Sequence, residues 1–172
     1  MSFIYITGIA GAGKSEVYKE LKKRGYEAHE GDDNLSNFYN NETGEIAERP
    51  ESTLNRTKEW RKHHTWKMSK EKLLELKAMT ETKPVFVCGV ASNEDEYIDV
   101  FDKVFALDID TETMKHRINT RISGDFGKST HEMKTLLEWQ PTTADYYKKV
   151  NAHVIDATKP VSSVVDEIVS SI

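Results

Sequence analysis

The sequence predicts one α/β domain, in which helices cover both faces of a mostly parallel sheet to give three layers. The chain has 172 residues, a length typical of a single domain. It contains short apolar segments rich in β-branched and aromatic residues, of which Val85-Phe86-Val87-Cys88 is one. Such segments are typical of strands that are buried on both faces. Helical stretches separate them, and strands that alternate with helices favour a parallel sheet.

Five strands are expected from the apolar segments. The three strongest cover residues 3–6, 85–88 and 104–107, and the two weaker ones cover residues 26–30 and 153–155. Turn-forming or polar residues flank each of the three strong segments, as expected for short buried strands.

Helices are expected between and after these strands, and several of them have recognisable ends. They cover residues 15–24, 51–79, 93–101, 111–122, 130–138, 143–150 and 162–172. Ser69 can break the long second stretch and cap its last part. Asp110 caps the helix that follows it, and Ser92 with Asp95 forms a capping box for the helix at 93–101. Pro141 ends the helix at 130–138.

Composition and charge restrict the classes of function. Every apolar run falls well short of the length of about 20 residues that crosses a bilayer, so we expect no membrane segment. The single cysteine, Cys88, fits a reducing compartment and a small core side chain, so we expect a cytoplasmic protein. The formal net charge of −5 disfavours nucleic-acid binding, because the neutralisation of many phosphates requires a basic surface. A small anionic ligand held by a few local cations stays open.

The segment Gly8-Ile9-Ala10-Gly11-Ala12-Gly13-Lys14-Ser15 fits the pattern G-x-x-x-x-G-K-[ST] at every fixed position. It leaves an expected strand and enters an expected helix, so its glycines can direct backbone amides at phosphate oxygens. In this geometry Lys14 reaches the β- and γ-phosphates, and the Ser15 hydroxyl holds Mg²⁺. The motif therefore predicts ATP as a ligand and Mg²⁺ as a cofactor. The residues expected to contact the nucleotide here are Gly8, Ala10, Gly11, Ala12, Gly13, Lys14, Ser15 and Glu16.

With this loop and this length, the chain resembles the small P-loop kinases of the nucleoside monophosphate kinase and shikimate or gluconate kinase group. Phe126-Gly127-Lys128 and Asp156-Ala157-Thr158 are also similar to segments of bacterial sequences labelled only as ATPase or kinase-like. The resemblance implies a P-loop NTP hydrolase fold with five parallel strands in the spatial order 2-3-1-4-5. It also implies a helical insert that binds the acceptor, placed at residues 34–82, and a short lid at residues 117–131. Both belong to a single domain of residues 1–172.

Acidic residues follow the second expected strand in Glu30-Gly31-Asp32-Asp33-Asn34. Carboxylates at the carboxyl edge of a parallel sheet can hold Mg²⁺ or accept a proton from an attacking hydroxyl. The segment resembles the D-G-D stretch of gluconate kinase and adenylyl-sulfate kinase, which implies that Asp32 touches the acceptor or the metal. Because Cys88-Gly89 stands where monophosphate kinases carry Asp-Gly, the metal-organising role shifts to Asp32 or Asp33. A plain acidic turn is the alternative.

Arg117 and Arg121 stand four residues apart, which places them on one face of the expected helix. Cations that close over a transferring phosphoryl group stabilise its charge, and a mobile cover keeps water out. The spacing resembles the R-x-x-x-R lid of the kinase group, which implies that both arginines are catalytic and that Arg117 also contacts the nucleotide. The loop of residues 123–128 follows and adds Lys128 as a further candidate. A solvated basic helix face is the alternative.

Ala157, Thr158 and Pro160 follow the last expected strand and match the loop that passes beside adenine in the resembling kinases. The resemblance implies backbone contacts from this loop to the base. An ordinary strand–turn–helix junction, with Pro160 near the start of the helix, is the alternative.

The expected insert carries aromatic and basic residues close together. On a helix, four of these side chains would lie roughly on one side: Trp60, His63, His64 and Lys67. There they could stack a base and hold a phosphate. The alternative, which we favour for the histidines, is that two tryptophans anchor the insert and the histidines are solvated. Arg56 and Arg61 are candidate contacts to an acceptor phosphate.

Together these features predict transfer of the γ-phosphate of ATP to a small acceptor. A nucleoside monophosphate and a small hydroxyl metabolite both fit as the acceptor. For a hydroxyl acceptor Asp32 would take its proton, and for a phosphate acceptor Asp32 would organise the metal. Two alternatives stay open, namely an NTPase or nucleotide-binding regulator that needs no acceptor and a polynucleotide 5′-hydroxyl kinase. The oligomeric state and the preferred base are not predicted.

Overall fold

The computed structural model describes residues 2–51, 55–122, 124 and 126–172. Residue 1, residues 52–54 of the expected insert, and Ser123 and Asp125 of the expected lid lie outside the described residues. In chain order the described strands are β1 (Phe3–Gly8), β2 (Glu27–Glu30), β3 (Ser36–Asn40), β4 (Ile46–Ala47), β5 (His64–Met68), β6 (Val85–Cys88), β7 (Lys103–Asp108) and β8 (His153–Asp156). The described α-helices are α1 (Lys14–Lys23), α2 (Lys58–His63), α3 (Lys70–Ala78), α4 (Glu94–Tyr97), α5 (Thr111–Thr120), α6 (Thr130–Lys149) and α7 (Val161–Ser170).

The main sheet is parallel and has the spatial order β2-β6-β1-β7-β8. Counted among these five strands alone, the order is 2-3-1-4-5, as expected. The central strand is β1, whose apolar residues are fully buried. Ile4 and Ile6 pack on the side of α1, α5 and α7, whereas Phe3 and Tyr5 pack on the side of α3 and α4. Helices therefore cover both faces, which confirms the three-layer fold.

Side-chain caps begin two of the helices as the sequence predicts. Asp110 accepts a hydrogen bond from the backbone amide three residues later at 2.8 Å, at the start of α5. Ser69 does the same at 3.3 Å for α3. A capping side chain satisfies an amide that has no partner within its own helix. These two predicted helix starts are therefore confirmed.

The helix α6 continues through Pro141, where the sequence predicts an end and a second helix at 143–150. Leu136 and Tyr147, on either side of the proline, are both buried. Core packing at both ends therefore holds one continuous helix despite the missing proline N–H. This helix has 20 residues. None of the described helices has the length and apolar character to cross a membrane.

The insert is not purely helical, which corrects the expectation for residues 51–79. The strands β3, β4 and β5 form a second, antiparallel sheet in the order β4-β3-β5. The segment that begins at His64 is a strand because its aromatic and β-branched residues pair with β3, and Trp66 lies opposite Phe38. Long-range pairing therefore overrides the local helical pattern. Trp60 and His63 lie on α2, whereas His64 and Lys67 lie on β5, so the four side chains do not share one side of a helix.

The insert meets the main sheet at the carboxyl ends of β2 and β6. The Met68 backbone exchanges two hydrogen bonds with the Asn93 side chain, at 2.9 and 3.1 Å. The expected capping box of Ser92 and Asp95 is wrong, because Asn93 precedes α4 and its side chain is engaged with Met68. A Cβ at Gly31 would lie 3.1 Å from the Gly89 Cα as well as 2.7 Å from the flexible end of Met68, so a side chain larger than glycine would crowd the ends of β2 and β6.

Candidate active site

The loop of residues 8–13 turns from the end of β1 into the start of α1. Gly11 and Gly13 have φ angles of 85° and 101°, in the left-handed region that glycine adopts without strain. A Cβ at Gly8 would lie 2.8 Å from the Leu107 carbonyl oxygen, so the loop also passes close to β7. The glycines of the motif therefore form a curled loop of the kind whose amides hold phosphate oxygens.

Lys14 curls back over this loop. Its Nζ donates to the carbonyl oxygens of Gly8 at 2.6 Å and Ile9 at 3.2 Å. Burial lowers the pKa of Lys14 from its ordinary value, and the carboxylates of Asp32 and Glu94 act in the opposite direction. A bound phosphate would likewise favour the charged ammonium. The predicted residues Lys14 and Asp32 are therefore brought close enough to interact.

Ser15 pairs with a carboxylate that the sequence did not single out as a site residue. The Ser15 Oγ donates to Glu30 Oε1 at 2.5 Å, across the gap between α1 and the last residue of β2. Asp32 and Asp33 lie just beyond, exposed, in a single helical turn over Gly31–Leu35. The signal for Glu30 was present in the sequence, because it occupies the first acidic place of the segment that begins there.

The oxygens around Ser15 fit Mg²⁺. This ion prefers oxygen ligands, keeps several waters, and is usually held by one or two carboxylates together with substrate phosphates. The Ser15 hydroxyl and the carboxylates of Glu30, Asp32 and Asp33 are oxygen donors of this chemical type. Within the part of the chain that the structure describes, no group of three His, Cys, Asp or Glu side chains could hold a metal by itself. The donor set therefore fits an ion whose coordination the nucleotide phosphates complete.

A buried carboxylate, Glu94, lies behind the phosphate loop. The Tyr5 hydroxyl and the Thr7 hydroxyl both donate to its Oε1 at 2.6 Å, and only 9% of the residue is exposed. Burial and the nearby Glu94 carboxylate raise the pKa of Tyr5 well above its ordinary value, so its proton is retained as a donor. Glu94 therefore braces Thr7, the residue just before the loop. Sequence analysis missed it, because the acidic run around it is typical of a solvated helix start.

Arg117 joins the phosphate loop to the loop that follows β8. Its Nη2 donates to the Ala157 carbonyl oxygen at 2.8 Å, and its Nη1 donates to the Ala12 carbonyl oxygen at 3.4 Å. The Thr158 backbone amide and hydroxyl both donate hydrogen bonds to Asp156 Oδ1, at 3.0 and 2.6 Å. The structure thus brings together three predicted nucleotide contacts, Ala12, Arg117 and Ala157, while Pro160 lies two residues beyond Thr158 at the start of α7.

The spacing predicts that Arg121 shares a helix face with Arg117. This prediction is wrong, because Arg121 lies just after the end of α5. Its extended backbone turns the side chain into the loop between α5 and α6, here called the lid loop (residues 124 and 126–128). There its Nη2 donates to the Phe126 carbonyl oxygen. Its charge also acts on Lys14, whose pKa it lowers. Lys128 lines a shallow groove of about 420 Å³ between α5 and α6. The side chains of Arg117 and Arg121 therefore lie at different points around the phosphate loop.

The aromatic side chains of the insert pack on one another. Trp60 stacks on His64 with ring centroids 4.1 Å apart, and Phe38 meets Trp60 edge-on at 4.8 Å. The Arg56 guanidinium lies 5.9 Å from the Phe38 ring centre. His63 lies beside surface carboxylates at the outer end of α2. Trp66 also packs against the buried cluster around Phe3 and Tyr5, as expected for a tryptophan that anchors the insert to the core. His64, however, is stacked on Trp60 and is not solvated as expected.

The family comparison covers most of the chain. A family model described as AAA domain matches residues 4–136. This range includes the phosphate loop, the insert, Arg117, Arg121 and the first turn of α6. No curated protein matches the chain.

Several solved structures share the fold. A shikimate kinase from Acinetobacter baumannii in complex with shikimate is 18% identical, with a TM-score of 0.65, and the match covers 99% of this chain and 92% of that one. A deoxyadenosine kinase from M. mycoides with bound dATP is 21% identical, with a TM-score of 0.58, over 99% and 98% of the two chains. A gluconokinase from Sinorhizobium meliloti 1021 is 17% identical, with a TM-score of 0.56, over 98% and 90%. The chain therefore has the fold of these small P-loop kinases.

Proposed function

The chain belongs to the AAA domain family, and we propose that it is an ATP-dependent phosphotransferase with a small-molecule acceptor. One observation carries the proposal. Lys14, the Ser15–Glu30 pair and Asp32 lie at the carboxyl edge of the sheet, where the insert is attached and where Arg121 also acts on Lys14. Structures of the same fold are named as kinases of gluconate, deoxyadenosine and shikimate, which supports a small acceptor.

Each side chain has a defined task in this proposal. Lys14 and the loop amides hold the phosphates of ATP, and Arg121 compensates the charge that spreads over the transferring group. Arg117 holds the nucleotide between the phosphate loop and the loop at Ala157. Bound Mg²⁺ would supply positive charge that neutralises the phosphates. Ser15 and Glu30 would hold it, with the Asp33 carboxylate as a further oxygen donor.

The insert and the loop after the second strand face the acceptor in this proposal. We assign acceptor binding to residues 34–82 and closure to residues 117–131. Asp32, which is exposed beside Lys14, would take a proton from a hydroxyl acceptor or help to organise the metal for a phosphate acceptor.

The test is ADP release from Mg-ATP across a panel of acceptors, with a blank that holds no acceptor. The panel contains ribo- and deoxynucleoside monophosphates, nucleosides, shikimate, gluconate, adenylyl sulfate and a 5′-hydroxyl oligonucleotide. We expect one small molecule to raise the rate far above the blank. Strong hydrolysis with no response to the panel would contradict the proposal in favour of an NTPase. A response to the oligonucleotide alone would favour a polynucleotide kinase.

A further inference from the structure

An ion pair connects the insert to the helix that follows the lid loop. Arg61, on α2, pairs through its Nη2 with Glu132 Oε1, in the first turn of α6. The Arg61 side chain is 25% exposed and the Glu132 side chain is 9% exposed. Removal of one partner would leave a poorly solvated, unpaired charge, so a substitution at either position is expected to disturb the contact between the two elements.

The same carboxylate also holds the lid loop. Glu132 Oε2 accepts a hydrogen bond from the Gly127 amide at 3.0 Å, in a buried position. Gly127 has a φ of 95°, and a Cβ there would lie 2.8 Å from the Leu136 Cδ1 and 3.2 Å from the Ile118 Cγ2. The lid loop is thus pressed onto the core at Gly127, and one oxygen of Glu132 fixes it while the other holds Arg61.

Phe126 links this arrangement to Arg121. The Arg61 guanidinium lies 5.1 Å from the Phe126 ring centre, a cation–π contact. The Phe126 carbonyl oxygen accepts the hydrogen bond from Arg121. One residue of the lid loop therefore contacts Arg61 with its ring and Arg121 with its backbone.

The contacts of Arg61 are with its own chain. Its Nη2 is paired with Glu132, and its Nε donates to the Arg56 carbonyl oxygen at 3.2 Å. Its face covers the Phe126 ring. The sequence suggested that Arg61 contacts an acceptor phosphate. This geometry fits better a side chain that holds other parts of the protein in place.

We propose that Arg61 and Glu132 are positioning residues for Arg121. They fasten the lid loop to the insert, so that the position of Arg121 at the phosphate site depends on this contact. Movement of the insert would then shift Arg121, the residue proposed to compensate the charge on the transferring phosphoryl group. The part that concerns catalysis rests on the proposed function, but the fastening itself does not.

The test of the fastening is amide hydrogen exchange of residues 126–133 in the free protein. Arg61→Ala and Glu132→Gln should each raise exchange there by about tenfold or more, because each removes a charge-assisted hydrogen bond that holds this segment. The Arg61→Lys variant should restore part of the protection. In the double variant, exchange should rise by much less than the product of the increases in the two single variants, because both residues act through one contact. The matched control is Arg24→Ala, which removes an ion pair of an arginine that is 27% exposed, between α1 and α7. It should leave residues 126–133 unchanged.

Exchange at wild-type rates in Glu132→Gln would overturn the proposal. Exchange of β1 reports the global fold, so a variant that simply unfolds is recognised. In that case Glu132→Gln carries the test as a near-isosteric change, with Arg61→Lys as the variant that keeps the positive charge. This measurement needs no activity and therefore stands whether or not the proposed function does.

A kinetic measurement separates positioning from substrate binding once the panel has identified an acceptor. Positioning predicts that Arg61→Ala lowers kcat several-fold while the KM of the acceptor changes little, with partial rescue in Arg61→Lys. A rise in the KM of the acceptor with unchanged kcat and unchanged exchange would instead make Arg61 an acceptor contact, and would contradict the proposal.

Discussion

The phosphate loop and the insert with its attachment to α6, here called the acceptor side after its proposed role, are built in different ways. In the loop, Lys14 bonds carbonyl oxygens five and six residues before it, and the preceding strand is fully buried. On the acceptor side, the ion pair of Arg61 and Glu132 joins residues 71 positions apart. The hydrogen bonds of Lys14 are local, whereas the contact between Arg61 and Glu132 exists only once distant segments have met. Substitution of Lys14 should therefore affect chemistry alone, and changes on the acceptor side should also affect the position of neighbouring segments.

The largest effect is expected for Lys14→Ala. It should lower kcat by about a hundredfold to a thousandfold, because a preorganised cation on the phosphates is lost. The fold should be retained, since among the described residues the hydrogen bonds of Lys14 go to carbonyl oxygens of its own loop. Steady-state ADP release and thermal unfolding check both parts. Lys22→Ala, on the same helix, is the control and should be neutral. Turnover near the wild-type rate in Lys14→Ala would show that the loop does not act on the phosphates.

A smaller effect is expected for Glu30→Gln, which tests whether Glu30 or Asp32 organises the metal. Because Glu30 is the partner of Ser15, its neutral variant should lower activity about tenfold to a hundredfold and raise the Mg²⁺ concentration needed for half of the maximal rate. Asp32→Asn is the matched comparison and should raise that concentration less. The reverse ranking, measured by Mg²⁺ titration of ADP release, would indicate that Asp32 organises the metal and that Glu30 does not.

The smallest effect is expected for Arg117→Ala. It removes the contacts to the Ala12 and Ala157 carbonyl oxygens, so it should weaken the binding of ATP about tenfold. Calorimetric titration with ATP measures this directly, with Lys115→Ala on the same helix as the control. The maximal rate should change less than the affinity. An unchanged dissociation constant would separate Arg117 from the nucleotide.

The difference between the two regions also explains what the sequence could predict. The strands of the main sheet and their helices follow from apolar segments and capping residues such as Asp110, which act locally. The loop glycines, Lys14 and Ser15 follow from one motif. The roles of all the site residues, Asp32, Asp33, Arg121 and Thr158 included, stay predictions, although the structure places Arg117 against the Ala157 carbonyl oxygen.

The remaining features depend on contacts that no local pattern reports. The strand at His64–Met68 exists because β3 lies beside it, and α6 passes Pro141 because both its halves are packed. Glu94 lies in an acidic run that is typical of a solvated surface, yet Tyr5 and Thr7 bury it. Glu132 gave no signal either, because its two partners are distant in the sequence or are backbone groups.

The central claim is that the γ-phosphate goes to an acceptor held by the insert and not to water. Phosphorus-31 magnetic resonance of the Mg-ATP reaction, with the acceptor panel present, tests this most directly. The account predicts that ADP appears together with a new phosphoester or phosphoanhydride resonance in equal amount, with little inorganic phosphate. ADP that appears together with inorganic phosphate alone, at the same rate with and without the panel, would contradict it.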